Sequence, residues 1–256
     1  MKLSEEMKNK TLLSFELFPP KTEKGLQNLP GTIDHLMKYN PSYISCTYGA
    51  GGGNVGANRE VCQMIKNAGT TPVTHFTVIK NTKEGIKEQL DQYLADGVDH
   101  MLALRGDIPL GETTTCGDFD YATDLVKFVR DTYGDKFEIA VAGSPEGHIS
   151  CRSLESDIAV LKQKQDNGAD YIMTQLCWDM EQFKYWLDAI RKAGVTMPVD
   201  VGVMPILDMS ATINMALSRN GCVMDSELCR LISRNWLFPN PFAAKDADGK
   251  PFDMFY

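Results

Sequence analysis

Seven short apolar runs, separated by segments of helical periodicity, limit the architectures open to this chain. They are LLSFELF (12–18), YISCTY (43–48), TPVTHFTVI (71–79), HMLALRG (100–106), EIAVAG (138–143), YIMTQL (171–176) and VDVGVMPI (199–206). Between them Ile86, Leu90, Tyr93 and Leu94 fall at i, i+4, i+7 and i+8, as do Tyr121, Leu125, Phe128 and Val129; Phe183, Trp186, Leu187 and Ile190 repeat a one-face pattern. Turn signals such as NAGTTP, ADGVD, NGADY and KAGVTMP close several of these helices before the next strand. A strand–helix unit recurring roughly every thirty residues, with strands apolar on both faces, predicts a parallel sheet covered by helices. No shift in composition divides the 256 residues, so a single TIM-type (β/α) barrel over 1–256 is expected rather than a doubly wound sheet. A barrel places its chemistry at the C-terminal ends of its strands.

Bulk properties exclude several classes. A net charge of −8 argues against a nucleic-acid partner, which calls for clustered Lys and Arg. No apolar run approaches the length of a membrane span. The charged start MKLSEEMKNK lacks an apolar signal region, so a cytoplasmic location is expected. The seven cysteines (46, 62, 116, 151, 177, 222, 229) contain no C-x-x-C pair, and the four histidines form no H-E-x-x-H. No disulfide framework and no metal site is expected, and the thiols read as small buried hydrophobes.

The glycine-rich loop CTYGAGGGNVGANRE (46–60) satisfies G-x-G-x-x-G through Gly51, Gly53 and Gly56. A dinucleotide fingerprint belongs at the first strand, with an acidic residue about twenty residues on, at the end of the next strand. Here the loop follows the second run, and the third ends FTVIKN without a carboxylate. The loop is better read as a barrel loop in which backbone comes close to a flat ligand.

Other polar residues stand at strand ends. Glu16 lies between Phe15 and Leu17 in an apolar strand closed by Pro19 and Pro20. A desolvated carboxylate there has a raised pKa suited to general acid work; the alternative is a glutamate paired with a lysine inside the barrel. The fourth run ends in Arg105, Gly106 and Asp107, the third carries His75, the fifth leads to His148, and the sixth ends in Thr174 and Gln175. Each alone has a bland reading, such as a surface turn or a satisfied core histidine, but they recur at successive strand ends.

SFELFPPK, TYGAGGG, ALRGD, SPEGH and ADYIMTQL, in this order and spacing, resemble the methylenetetrahydrofolate reductase family over roughly residues 12 to 206. The resemblance implies a (β/α)8 barrel with FAD across the C-terminal strand ends. It also implies reduction of 5,10-methylenetetrahydrofolate to 5-methyltetrahydrofolate by ping-pong hydride transfer from NADH or NADPH through the flavin. On this resemblance Glu16 is the general acid that protonates N10 as the five-membered ring opens to an iminium cation. Asp107 is the carboxylate that stabilises that cation and contacts flavin and substrate. Gln175 hydrogen-bonds the pterin and then the nicotinamide. Thr47, Tyr48 and Ala50 form the loop beside flavin and nicotinamide, with Thr47 also at the substrate. His75, Arg105, Gly106, His148, Asp157 and Lys164 are FAD contacts, with Lys164 a positive charge for the pyrophosphate.

Two departures from the family pattern stand out. Ser144 occupies a position where the family usually has an aromatic, and Val160 and Gln163 occupy positions of polar or basic FAD contacts, which implies weaker or altered flavin binding. MSATINMALSRNG (209–221) and DSELCRLISR (225–234) read as helices, the second capped by Asp225. The eighth strand of the family is missing after them, so seven strands are expected, with a gap between the first and seventh and residues 235–256 at or near it. The partners implied are a small-molecule folate and a second copy of the chain in a homo-oligomer. A folate- or flavin-binding barrel that takes electrons from a partner protein is the main alternative, and a corrinoid-linked methyltransferase a weaker one.

Overall fold

The computed structural model describes residues 2–20, 22–48, 55–108, 111–206, 208–217 and 222–237. In chain order the elements are α1 (Leu3–Met7), β1 (Ser14–Leu17), α2 (Glu23–Met37), β2 (Tyr43–Cys46), α3 (Val55–Asn67), β3 (Thr71–Thr77), α4 (Lys83–Ala95), β4 (His100–Leu104), α5 (Ala122–Tyr133), β5 (Glu138–Gly143), α6 (Leu154–Asp166), β6 (Tyr171–Thr174), α7 (Met180–Lys192), β7 (Val199–Asp200), α8 (Met209–Leu217) and α9 (Ser226–Leu237). The strands form one seven-stranded sheet in the order β1 to β7. Its registered pairs are parallel, beginning with Glu16 opposite Ser45 and Ser45 opposite Val73. This is an α/β fold of the TIM-barrel type. The chain divides into two compact units, one comprising Met1–Ala142, Val160–Met173 and Thr196–Asp200, the other Gly143–Ala159, Thr174–Val195 and Val201–Tyr256.

Within the first unit the side-chain period of two sets the core. Tyr43, Val73, Leu102, Ala140 and Tyr171 pack with Leu3 of α1 into one buried cluster, and Leu104 and Met173 border it. Residues two positions further along these strands therefore line the same inner face nearer the C-terminal strand ends. On the outer face, Asn58 of α3 is fully buried. Its Nδ2 donates to the carbonyls of Cys46 (3.0 Å) and Thr47 (3.1 Å), and its Oδ1 accepts from Thr74 Oγ1 (2.8 Å) and Tyr93 OH (2.7 Å).

β1 and β7 are the edges of the sheet, and a side-chain clasp links them: Ser14 Oγ donates to Asp200 Oδ2 (3.2 Å), which also accepts from Tyr43 OH. Seven strands stand among the described residues, as the sequence reading expects. Residues 238–256, most of the segment expected at the gap, lie outside the described residues.

α1 is fixed by a buried carboxylate at the start of β5. Glu138 accepts from the Leu3 and Ser4 amides (2.7 and 2.8 Å) and from the Ser4 hydroxyl (2.5 Å), and its Oε2 lies 3.0 Å from His100 Nε2. Asp99 Oδ1 is 2.6 Å from the other ring nitrogen. Burial alone would push the His100 pKa down, yet the bonds to Asp99 and Glu138 outweigh it and carry the value up to about 9. Burial likewise would raise Glu138, and the donors from His100, Ser4 and Leu3 bring it down to about 2. The folded state thus holds the His100 proton more tightly than the unfolded state. Its stabilisation is complete below the ordinary value of 6.5 and is lost as pH rises through about 9. The Glu138 contribution is present above the ordinary value of 4.5 and is lost as pH falls through about 2. Thermal melts between pH 6.5 and 9.5 are therefore expected to show the wild type losing on the order of 1–3 kcal/mol that His100→Asn, which cannot titrate, does not lose. Parallel curves for the two proteins would rule this out.

In the second unit, α7 begins at Asp179, whose Oδ1 accepts from the Glu181 and Gln182 amides (2.9 and 3.0 Å), and buries Trp186 and Ile190. Asp225 caps α9 as the sequence predicts, its Oδ1 accepting from the Leu228 amide at 2.6 Å.

Most apolar runs overshoot their strands. The first, 12–18, narrows to Ser14–Leu17, with Leu13 and Phe18 exposed, and the seventh shrinks from 199–206 to Val199–Asp200. Past Asp200, Gly202 passes so close to Thr174 that a Cβ would sit 2.6 Å from its carbonyl oxygen, and its amide donates to Thr174 Oγ1 (2.9 Å). Tyr121, read as helical, instead precedes α5 with extended backbone and an exposed ring. Its amide donates to Asp124 Oδ2 at 2.9 Å, and Leu125, Val126 and Val129 form the buried stripe. No helix among the described residues is long and apolar enough to cross a membrane.

Candidate active site

Glu16 occupies the inner face of β1, in register with Ser45. Its Oε2 lies 3.8 Å from Nε2 of His75, two residues beyond the core residue Val73. Desolvation raises the Glu16 pKa, yet 46% of the side chain is accessible. The desolvation and raised pKa expected of Glu16 are present, on a side chain that is nearly half accessible. Phe15 and Leu17 alternate to the opposite face of the strand, so they flank Glu16 in sequence without enclosing it, and the side chain stands open at the strand's C-terminal end. His75 differs: its side chain is 8% exposed, and burial lowers its pKa to about 4, so the ring is neutral at neutral pH. A lysine paired with Glu16, the other sequence reading, does not occur among the described residues; the nearby ring is His75.

Three polar atoms at this level, Ser45 Oγ, His75 Nε2 and Thr77 Oγ1, are buried without a hydrogen-bond partner among the described residues. Buried polar groups left unpaired in a protein await a ligand or water. Gly106 follows β4 with φ +86°, and a Cβ there would come within 3.0–3.2 Å of Ile79 and Thr77. Only glycine fits both the backbone conformation and the space. Arg105 Nε donates to the Gly106 carbonyl (3.3 Å), and Asp107 is exposed. Lys164 Nζ donates to the Ala142 carbonyl near the end of β5 (2.9 Å). The orphaned Thr77 hydroxyl and the glycine approach beside it suit a flat, polar cofactor.

Thr47 donates its amide to the Leu17 carbonyl (2.9 Å), tying β2 to β1 where the glycine loop begins. Tyr48 turns its side chain toward α4. Its OH donates to Gln89 Oε1 of α4 (2.8 Å) and its ring packs against Phe76 with centroids 5.7 Å apart, on the outer face, leaving its backbone to the loop. Ala50 lies outside the described residues.

The second unit holds the remaining candidates. His148 and Asp157 are brought together: Asp157 Oδ2 accepts the His148 amide (3.2 Å) and Oδ1 the Cys151 thiol (3.5 Å), fastening the loop before α6. Gln175 donates its amide to the Gly143 carbonyl and turns Oε1 back onto the Leu176 amide, both at 2.8 Å. Of the departures, Val160, which belongs to the first unit, is 38% exposed on α6. Among the described residues no group of three or more His, Cys, Asp or Glu is placed to hold a metal ion.

Sequence reasoning missed Asn58, Ser45, Asp200 and the Glu138–His100 pair. Asn58 alone carried a signal, as a polar residue at the start of a helix that follows a glycine loop.

The fold and these residues define a TIM-type barrel protein with a raised-pKa carboxylate beside a neutral histidine at its C-terminal strand ends. Residues 2–228 match the family model described as methylenetetrahydrofolate reductase. Methylenetetrahydrofolate reductase (NADH) 1 of Arabidopsis thaliana is 37% identical over 219 residues, 80% of this chain and 37% of its own length. The 5,10-methylenetetrahydrofolate reductase of Escherichia coli (strain K12) is 33% identical over 202 residues, 78% of this chain and 67% of its own. Among solved structures, a Clostridium thermocellum protein that binds two copies of 5-methyl-5,6,7,8-tetrahydrofolic acid superposes with a TM-score of 0.66 at 12% identity, over 93% of this chain and 80% of that one. The chain belongs to the methylenetetrahydrofolate reductase family. It spans little more than a third of the length of the plant relatives.

Proposed function

We propose that the chain is the barrel domain of a cytoplasmic, homo-oligomeric reductase that converts 5,10-methylenetetrahydrofolate to 5-methyltetrahydrofolate. The observation that carries this reading is the Glu16 carboxyl, its pKa raised by desolvation and its Oε2 3.8 Å from a neutral histidine at an open strand end. A carboxyl that keeps its proton closer to neutral pH suits general acid catalysis. Glu16 delivers that proton to N10 as the folate ring opens. Asp107 offers a negative charge to the cationic iminium, and Gln175 and Thr47 orient the pterin. FAD, when bound, would supply hydride transfer from NADH or NADPH. Thr47, the backbone of Tyr48 and Ala50, His75, Arg105, Gly106, Asp107, His148, Asp157 and Lys164 would hold it.

A second reading is a folate-binding barrel, a class to which the Clostridium thermocellum protein with its two bound 5-methyl-5,6,7,8-tetrahydrofolic acid molecules belongs, with electrons drawn from a partner protein as the form of it that the experiment below separates. One anaerobic experiment separates the two. Protein loaded with FAD is mixed with NADH, NADPH or a reduced iron–sulfur mediator, then with methylenetetrahydrofolate. Bleaching by a nicotinamide followed by reoxidation by the folate is expected. Bleaching by the mediator alone would favour the partner-fed barrel, and folate binding with no reoxidation would overturn the reductase reading.

A further inference from the structure

β2 runs between β1 and β3, and Ser45 is its inward residue at the level of the acid. It is in register with Glu16 on one side and with Val73, two residues before His75, on the other. Ser45 is 1% exposed, and its hydroxyl has no hydrogen-bond partner among the described residues; the same holds for His75 Nε2. The 3.8 Å between His75 Nε2 and Glu16 Oε2 is too long for a direct bond. Atoms 3.8 Å apart can both be reached at ordinary hydrogen-bond distance by one oxygen set aside from the line between them. Buried waters occur where two to four polar groups converge without protein partners.

We propose that Ser45 is a positioning residue of the acid site, its hydroxyl and His75 Nε2 holding one buried water against Glu16 Oε2 so that the carboxyl is fixed in the orientation from which it delivers its proton. The inference rests on the reading of Glu16 as the proton donor. The hydrogen-bond accounting closes with a neutral imidazole. The Ser45 O–H donates to the water, and the water donates one hydrogen to His75 Nε2 and the other to Glu16 Oε2. The second carboxyl oxygen is left to carry the transferred proton. The titratable groups around Glu16 are His75 on β3, Tyr43 and Cys46 on β2, both of which its charge reaches, and Asp200 on β7 beneath Tyr43.

The test is a titration of the full chain carrying carboxyl-labelled glutamate, followed by carbon NMR, with the Glu16 signal identified by its loss in Glu16→Gln. Removing the water removes a donor to the carboxylate, so Ser45→Ala is expected to raise the Glu16 midpoint by about one pH unit, a tenfold change in proton affinity. Ser45→Thr, which keeps the hydroxyl, is expected to restore it. The melting temperature gives an independent measure. A hydroxyl without any partner is a liability, so its removal would stabilise the protein, whereas a water-bound hydroxyl gives no such gain. A midpoint moved by less than about 0.3 units, a twofold change, overturns the proposal. So does a rise in melting temperature for Ser45→Ala. Neither readout requires flavin or folate. A wild type that fails to reduce folate therefore counts against the reductase reading alone, and an unmoved Glu16 midpoint counts against the water alone.

Discussion

Glu16→Gln is expected to abolish reoxidation of the reduced flavin by methylenetetrahydrofolate while leaving reduction of the flavin by its donor intact. The amide matches the carboxyl in shape and cannot release a proton at N10. A positioned general acid contributes about 10²–10⁴-fold, and the loss is expected near the upper end because nearly half of the Glu16 side chain faces the open end of its strand, where a substrate can reach it. Rapid-mixing measurement of the two half-reactions checks this. A folate half-reaction within about tenfold of wild type, roughly 1.4 kcal/mol of barrier, would remove Glu16 from the role of acid.

The second large effect is expected away from the chemistry, at Asn58. Its side chain satisfies the carbonyls of Cys46 and Thr47 and accepts from the hydroxyls of Thr74 and Tyr93, all near the end of β2. Asn58→Ala removes every one of these bonds at once in a fully buried position. Each buried group left unpaired costs about 1–3 kcal/mol, so a loss of about 3 kcal/mol or more is expected. At about 2–4 °C per kcal/mol for a chain near this size, the melting temperature falls by about 6–12 °C. The carbonyls released belong to the two residues that lead toward the glycine loop, so flavin affinity should fall as well. A melting temperature within about 2 °C of wild type, less than about 1 kcal/mol, would show that the network is not what holds this end of β2.

The strand–helix rhythm was legible because a parallel strand covered on both faces must be apolar throughout, and β5 matches its run, 138–143, residue for residue. What ended the other runs was not. Just past β7 the Gly202 amide donates to the Thr174 hydroxyl instead of to a strand carbonyl, a tertiary contact with no counterpart in apolar spacing. At the site, chemical type was legible and environment was not. Glu16 in an apolar run reads as enclosed, but enclosure depends on which neighbours share its face. Tyr48 has no sequence signal for the side it faces, and its place in the alternation puts its ring against α4. Ser45 and Asn58 have ordinary sequence surroundings. Their roles exist only once register has set one opposite Glu16 and folding has brought the other against the carbonyls of Cys46, the last residue of β2, and Thr47 just past it.

The Asp200 clasp has a consequence for how this sheet is built. Ser14 and Asp200 are 186 residues apart in the chain, and Tyr43 and Asp200 157 apart. Neighbouring strands from β1 to β7 are joined by crossovers that each carry a helix, so each pairing closes far less chain than the clasp does. The clasp must wait until the intervening chain is in place to bring its partners within reach. Its formation closes a far longer stretch of chain than the pairing of any two neighbouring strands. Contacts of such separation raise the mean sequence distance across which the sheet is tied, which slows folding.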